Sequence, residues 1–137
     1  VLPNHRAWQR YLAKDFDYRR TQPAPQVAGS CFLISRSAFE RIGPMDEGFY
    51  VWFEEVDWCA RAHTAGIPVV YCSSATLTHY GGASFGQLSS LARQTQFNRS
   101  LRRYAKKHLG LAAWVILTLI SPVSLTLAAL TLHRTKK

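Results

Sequence analysis

The apolar positions of this chain change their spacing several times, and each change predicts an element. Residues 5–20 mix Trp8, Tyr11, Leu12, Phe16 and Tyr18 with charges, which fits a short helix or an irregular arm. Thr21-Gln22-Pro23-Ala24-Pro25-Gln26 predicts a loop, because prolines two apart disfavour both a helix and a strand ladder. Val27 to Ile34 is a small apolar run suited to a buried strand. Ser35 or Ser37 can cap a helix through Ala38-Phe39-Glu40-Arg41-Ile42, which Gly43-Pro44 would end. Aromatic Phe49 to Trp52 predicts a short extended piece. Glu54 to Ala65 then predicts a helix, with Val56, Trp58, Cys59 and Ala62 to pack and Gly66 at its C-terminus. Ile67 to Cys72 is a β-branched run typical of a strand, and Ala75 to His79 predicts a second. Gly81-Gly82-Ala83-Ser84 is flexible enough to carry a loop near a ligand. This order of elements is α/β in character.

Past Gln87 the spacing becomes helical and stays so. Phe97, Leu101 and Tyr104 share one face, while Arg99, Arg102, Arg103, Lys106 and Lys107 occupy mainly another, predicting a basic amphipathic helix within residues 88–108. Leu109–Leu132 follows without a formal charge and with Trp114 near one end. At about 1.5 Å per residue it would reach roughly 36 Å, enough for a hydrocarbon core of about 30 Å. A buried core helix is the other reading, but so long an uncharged run between cations exceeds what a small domain needs. Ser121-Pro122 in its middle leaves a kinked span and a re-entrant pair both open. Basic residues on both flanks, including the tail 133–137, prevent the positive-inside rule from deciding.

Charge sharpens this division. Residues 1–57 hold all eight acids and seven Lys/Arg, a net of −1, whereas residues 58–137 hold ten Lys/Arg and no acid, a net of +10. The basicity therefore needs a local explanation in the C-terminal part. Anionic lipid head groups are a simpler partner for it than nucleic acid, because nothing sets the charges beside base-reading groups. The 137 residues suffice for one modest domain. The chain opens on Val1 without an apolar leader pattern, and reads as a processed protein or a fragment. Cys31, Cys59 and Cys72 form no CxxC pair and match no zinc spacing, which argues against a disulfide scaffold.

The residues with the most chemistry lie between Gly29 and Ser84. Glu54, Glu55 and Asp57 put three carboxylates within four positions, bracketed by aromatic residues. On a helix starting near Glu54, Glu54 and Asp57 share one side and Glu55 lies about 100° away. Acids in a first turn also suit the helix macrodipole, so capping is one account of them. The other is a general base with a second carboxylate to orient the site. Asp46-Glu47 reads as turn or cap. His79, followed by Tyr80-Gly81-Gly82, is a satisfied polar residue or a metal or phosphate contact. No phosphate-cradling glycine loop is present.

Taken as an ordered set, these residues resemble the C-terminal half of the catalytic domain of inverting family-two glycosyltransferases, and most of all its bacterial rhamnosyltransferase-like branch. The likeness rests on Gly29-Ser30-Cys31-Phe32-Leu33-Ile34-Ser35-Arg36, then Phe39, Gly43, Asp46-Glu47 and Phe49. It continues through Glu54-Glu55-Val56-Asp57-Trp58-Cys59-Ala60-Arg61, Ala65-Gly66, Tyr71, and His79 with Gly82 and Ser84. Residues 27–87 carry it well and the tail only loosely.

The resemblance implies part of a GT-A-type fold over residues 1–87, then the amphipathic helix, a membrane segment over 109–132 and the basic tail. It implies transfer of a sugar, rhamnose among them, from a nucleotide-diphosphate donor to a cell-envelope polysaccharide or lipid-linked acceptor. The expected setting is the cytoplasmic face of a bacterial inner membrane. Glu55 takes the catalytic-base position, where the family usually has Asp, and keeps the carboxylate on a longer stem. Glu54 and Asp57 join it as catalytic candidates, Gly29, Trp52 and Arg61 as substrate-binding ones. His79 matches the histidine that helps to hold a divalent metal, Mg2+ or Mn2+, on the donor diphosphate. The family's nucleotide-binding half with its Asp-x-Asp motif is not in this sequence. Asp15-Phe16-Asp17 has the letters but lies too near Gly29 and lacks the preceding apolar strand. A half site that does not turn over alone is therefore expected. The alternatives are a non-catalytic, membrane-anchored interaction module and a metal-dependent hydrolase built on the same acids and His79.

Overall fold

A computed structural model describes residues 13–80 and 89–134. Trp8, Tyr11 and Leu12 of the arm, the Gly81–Ser84 loop and the end of the basic tail lie outside the described residues. The helices are α1 (Arg36–Ile42), α2 (Glu54–Thr64), α3 (Ser90–Tyr104) and α4 (Leu111–Arg134). One antiparallel pair, β1 (Gln22–Pro23) with β2 (Val70–Tyr71), forms the sheet, in the register Gln22↔Tyr71 and Pro23↔Val70.

Local chemistry sets the first two helices. The Ser35 hydroxyl accepts from the Ala38 N–H at 3.2 Å and starts α1. Gly43 ends it at φ 83° and ψ −174°, a conformation open to glycine and costly for any other residue. α2 carries Glu54, Glu55 and Asp57 in its first turn and Arg61 and His63 in its last, both favourable to its dipole. Ala38, Trp58, Cys59, Ala62 and Val69 are buried between these helices, with Val27, Phe32, Ile34, Ile42, Met45 and Ile67 packed around them. Trp58 stacks edge-on against Phe32 at 5.4 Å and donates its indole N–H to the Gly43 carbonyl at 3.0 Å. One aromatic side chain thus joins the α1 terminus to the core.

Several predicted strands are corrected. Val27–Ile34 contains a 3-10 turn at Gly29–Cys31 instead of a strand, and Leu33 is 96% exposed. The run has no ladder partner among the described residues, so its apolar side chains pack individually. Of Ile67–Cys72 only Val70–Tyr71 pairs, and Ala75–His79 is exposed coil. The proline-rich loop supplies the partner, since Pro23 can sit in a two-residue edge that asks no N–H of it. Phe49–Trp52 is a run of bends and not an extended piece, and the chain turns through left-handed backbone at Trp52 (φ 61°) and Phe53 (φ 73°).

The C-terminal part folds as a helical hairpin. The Ser89 hydroxyl caps α3, and the helix continues into one wider π-wound turn, Ala105–Leu109. Gly110, at φ 89° and ψ 175°, then breaks the path. α4 starts at Leu111, two residues after the apolar run begins. It returns along α3: Lys106 lies over the Trp114 ring, Asn98 meets Ser121 and Ser124, and Arg93 lies near Leu127. Buried Asn98 donates to Ser121 Oγ at 3.0 Å and Ser124 Oγ at 2.7 Å, and accepts from Gln94 at 2.9 Å. The seam between the helices thus has a polar centre, with Trp114, Leu117 and Leu125 half-buried on the same side of α4. Most large apolar residues of α4 (Leu111, Val115, Ile116, Leu119, Ile120, Val123, Leu127 and Leu130) are exposed instead. Leu111–Leu130 is long and apolar enough to cross a membrane by length and composition.

Candidate active site

α3 builds the site by holding a strained turn. Left-handed backbone at two consecutive bulky residues costs about 1–3 kcal/mol each and persists only where packing fixes it. Here Phe53 stacks on Phe97 and Tyr104 at 5.6 and 5.4 Å, and Trp52 meets Phe97 edge-on at 5.8 Å. The buried Ser100 hydroxyl donates to the Val51 carbonyl at 2.7 Å. This turn delivers the chain into α2 with no side-chain cap from Phe53, and the Glu55 and Val56 N–H groups face the Glu55 carboxyl instead.

Glu54 and Glu55 follow at once. Each has one carboxylate oxygen, Oε2, buried without a hydrogen-bond partner. Gly29 lies against the Glu55 carboxyl: a Cβ built there would stand 3.7 Å from Glu55 Cδ. Burial pushes the Glu55 carboxyl above its ordinary value and the charge of Glu54 adds to this. The N–H groups of Glu55, Val56 and Gly29 pull the other way without cancelling it. A carboxylate held out of water with one uncommitted oxygen is a proton acceptor poised nearer neutrality than a surface glutamate.

Asp57 is placed differently. It is fully buried and saturated: Oδ1 accepts from His108 Nε2 and Lys107 Nζ, both at 2.7 Å, and Oδ2 accepts from Arg61 Nε at 2.9 Å. Burial raises its pKa, but the bonds from Lys107, His108 and Arg61 outweigh this and leave it below the ordinary value. Arg61 also donates from Nη1 and Nη2 to the Ile42 and Pro44 carbonyls, each at 2.8 Å. Asp57 and Arg61 therefore fasten α2 to α1 and to the π turn. Asp46 extends the clamp, accepting from Arg103 at 2.7 Å and Lys107 at 2.9 Å, and these bonds hold its carboxyl far below the usual range.

Of the residues singled out from the sequence, the structure thus brings Gly29, Glu54 and Glu55 together and sets Trp52 three positions before Glu55. It puts His79 on an exposed stretch beyond β2. No group of three His, Cys, Asp or Glu suited to a metal occurs among the described residues, and a lone exposed imidazole does not fit a complete cation site. Sequence reasoning missed Lys107 and His108. A signal existed in the charge division, because Asp46 and Asp57 belong to the acid-bearing part and find their partners in the part without acids.

Comparison with known proteins adds relatives. Over 113 residues (72% of this chain and 37% of the relative) it is 26% identical to a low-salt glycan biosynthesis hexosyltransferase of Haloferax volcanii. Over 66 residues (48% and 22%) it is 38% identical to the N-acetylglucosaminyl-diphospho-decaprenol L-rhamnosyltransferase of Mycobacterium tuberculosis. Over 82 residues (60% and 31%) it is 28% identical to a rhamnosyltransferase of Escherichia coli K12. The chain thus spans between about a fifth and two fifths of the length of these relatives. Their names support a glycosyltransferase family. No family model matches the chain, and no solved structure matches it.

Proposed function

We propose that this chain is the acceptor-side part of a membrane-associated, inverting glycosyltransferase of family two and GT-A type. Its donor would be a nucleotide-diphosphate sugar, with rhamnose the leading candidate. Its acceptor would be a lipid-linked glycan or cell-envelope polysaccharide, met at the cytoplasmic face of a bacterial inner membrane. The observation that carries this reading is Glu55. Its carboxyl lies beneath Gly29 at the start of α2, with a buried, unpartnered oxygen and a raised proton affinity.

In this mechanism Glu55 takes the proton of the acceptor hydroxyl as that oxygen attacks the anomeric carbon from the face opposite the leaving diphosphate. The neighbouring Glu54 charge raises the proton affinity of Glu55 and so favours that transfer. Asp57, with both oxygens committed, acts as a positioning residue that fixes the first turn of α2. His79 would give one ligand to a divalent cation, Mg2+ or Mn2+, with the others from the diphosphate and other parts of the protein. Such a cation would supply positive charge to the diphosphate.

The test is Glu55→Gln in the native protein. Sugar transfer should fall by at least about a hundredfold, the usual reach of general-base catalysis, while nucleotide-sugar binding by calorimetry persists. Near-normal turnover in this variant would remove Glu55 from the mechanism. Absence of metal-dependent nucleotide-diphosphate binding in the native protein would favour the non-catalytic anchored module, the reading that the exposed apolar strip of α4 alone would support.

A further inference from the structure

An open groove of about 560 Å³ runs between α3, α4 and the strained turn. Trp52, Phe97, Leu127 and Ala128 make most of its surface apolar, with Ser90, Arg93, Gln94 and Ser124 as polar points. Leu127 belongs both to the groove and to the outward strip of α4, where it is 60% exposed, so the groove opens onto that strip. Trp52, three residues before Glu55, lines it as well. The volume lies in the range of about 300–1,000 Å³ usual for small-ligand sites.

Arg93 gives the groove its charge. Arg61, Arg103 and Lys107 are all committed to Asp46 or Asp57. Arg93 makes a 3.5 Å hydrogen bond to Ser90 Oγ and pairs with no carboxylate among the described residues. A cation at the margin of an apolar trough, continuous with a strip of exposed aliphatic side chains, complements an amphiphile with an anionic head. Bulk lipid would touch only the outer strip. The groove lies on the inner side, against the turn that starts α2.

We infer that this groove seats the lipid-linked acceptor: Arg93 takes its phosphate, and Trp52, Phe97, Ala128 and Leu127 take the adjoining stretch of its apolar chain. The inference rests on the glycosyltransferase reading and adds to it where the acceptor lies. Leu127 then passes the rest of the chain to the surface that α4 presents.

The test uses the native protein in detergent micelles and a benzophenone-tagged farnesyl diphosphate as probe. Irradiation should place the label on the α3 and α4 peptides containing Phe97 and Leu127, with untagged farnesyl diphosphate competing and inorganic phosphate not. Arg93 is exposed, so Arg93→Gln should fold normally and cut the labelling about tenfold or more through loss of a charged hydrogen bond. Phe97→Ala should reduce it as well. Label spread along the outer strip of α4, at equal yield in wild type and Arg93→Gln, would overturn the inference. Sugar transfer is scored in parallel. Groove labelling without transfer would keep the groove and remove the transferase reading, whereas transfer without groove labelling would do the reverse.

Discussion

Glu55 and Asp57 are two positions apart on one helix, yet their carboxyls are shifted in opposite directions. Asp57 has a lowered pKa when folded. Its stabilisation is present above the unfolded value near 3.8 and is lost as pH falls through the folded one. Glu55 has a raised pKa. Its contribution is present below the unfolded value near 4.5 and is lost as pH rises through the folded one. At neutral pH the fold therefore gains from Asp57 and works against Glu55, as suits a structural anchor beside a reactive group. Asp57→Ala should lower stability by about 3 kcal/mol, because it removes a buried carboxylate and leaves its half-buried donors Arg61, Lys107 and His108 without that acceptor, and should move the urea midpoint at unchanged slope. Glu55→Gln should leave the melting temperature at pH 7 unchanged or higher. It should also remove the acid limb of transfer, which in the wild type lies above the ordinary glutamate range. A fall in melting temperature would instead make Glu55 a capping residue. The three acids were legible as a cluster, but their division of labour was not. That division depends on Lys107 and His108, about fifty positions away.

Among the elements, those governed by local chemistry could be read from the sequence. Ser35, Gly43 and the acid-to-base gradient of Glu54–Thr64 bound α1 and α2 close to where the residues suggest. What escaped was fixed by distant partners. Phe49 to Trp52 reads as an extended aromatic piece until Phe97, Tyr104 and Ser100 of α3 hold the backbone left-handed at Trp52 and Phe53. The π turn at Ala105–Leu109 is likewise invisible in the spacing, because its reach toward Asp57 is a tertiary demand. Gly43 allows a clean measurement at this scale. A Cβ there meets nothing within 4 Å, so Gly43→Ala tests backbone conformation alone. It should cost about 1–3 kcal/mol in urea denaturation.

Across the whole molecule, the net positive charge of the C-terminal part is in part an internal matter, since Arg103 and Lys107 answer Asp46 and Asp57. The apolar face of α4 has no such internal answer. A helix docked on a protein in water turns most of its large aliphatic residues inward, whereas α4 turns the Asn98-bonded serines inward with Leu117 and Leu125 half-buried and leaves most of its large aliphatic residues out. That inversion is what a hydrocarbon surrounding would favour. Leu119→Asp, at the most exposed of these leucines, should weaken partitioning onto lipid vesicles by at least about tenfold in a flotation assay. Equal flotation of variant and wild type would show that the strip faces something other than lipid. The sequence announced the length and apolarity of this segment. It did not announce its return along α3, where Asn98 bonds Ser121 and Ser124 up to 26 positions away.

Gly110 marks where the chain changes what it asks of its surroundings. Before it, Lys107 and His108 have already closed on Asp57. After it, the exposed residues are mostly aliphatic. A polypeptide stopped at Gly110 would keep the clamp and shed the strip, and should be recovered from the aqueous fraction of a lysate without detergent. The same cut strips one wall from the groove and turns Asn98 toward water. Ease of purification and grip on the acceptor are thus set against each other at a single peptide bond.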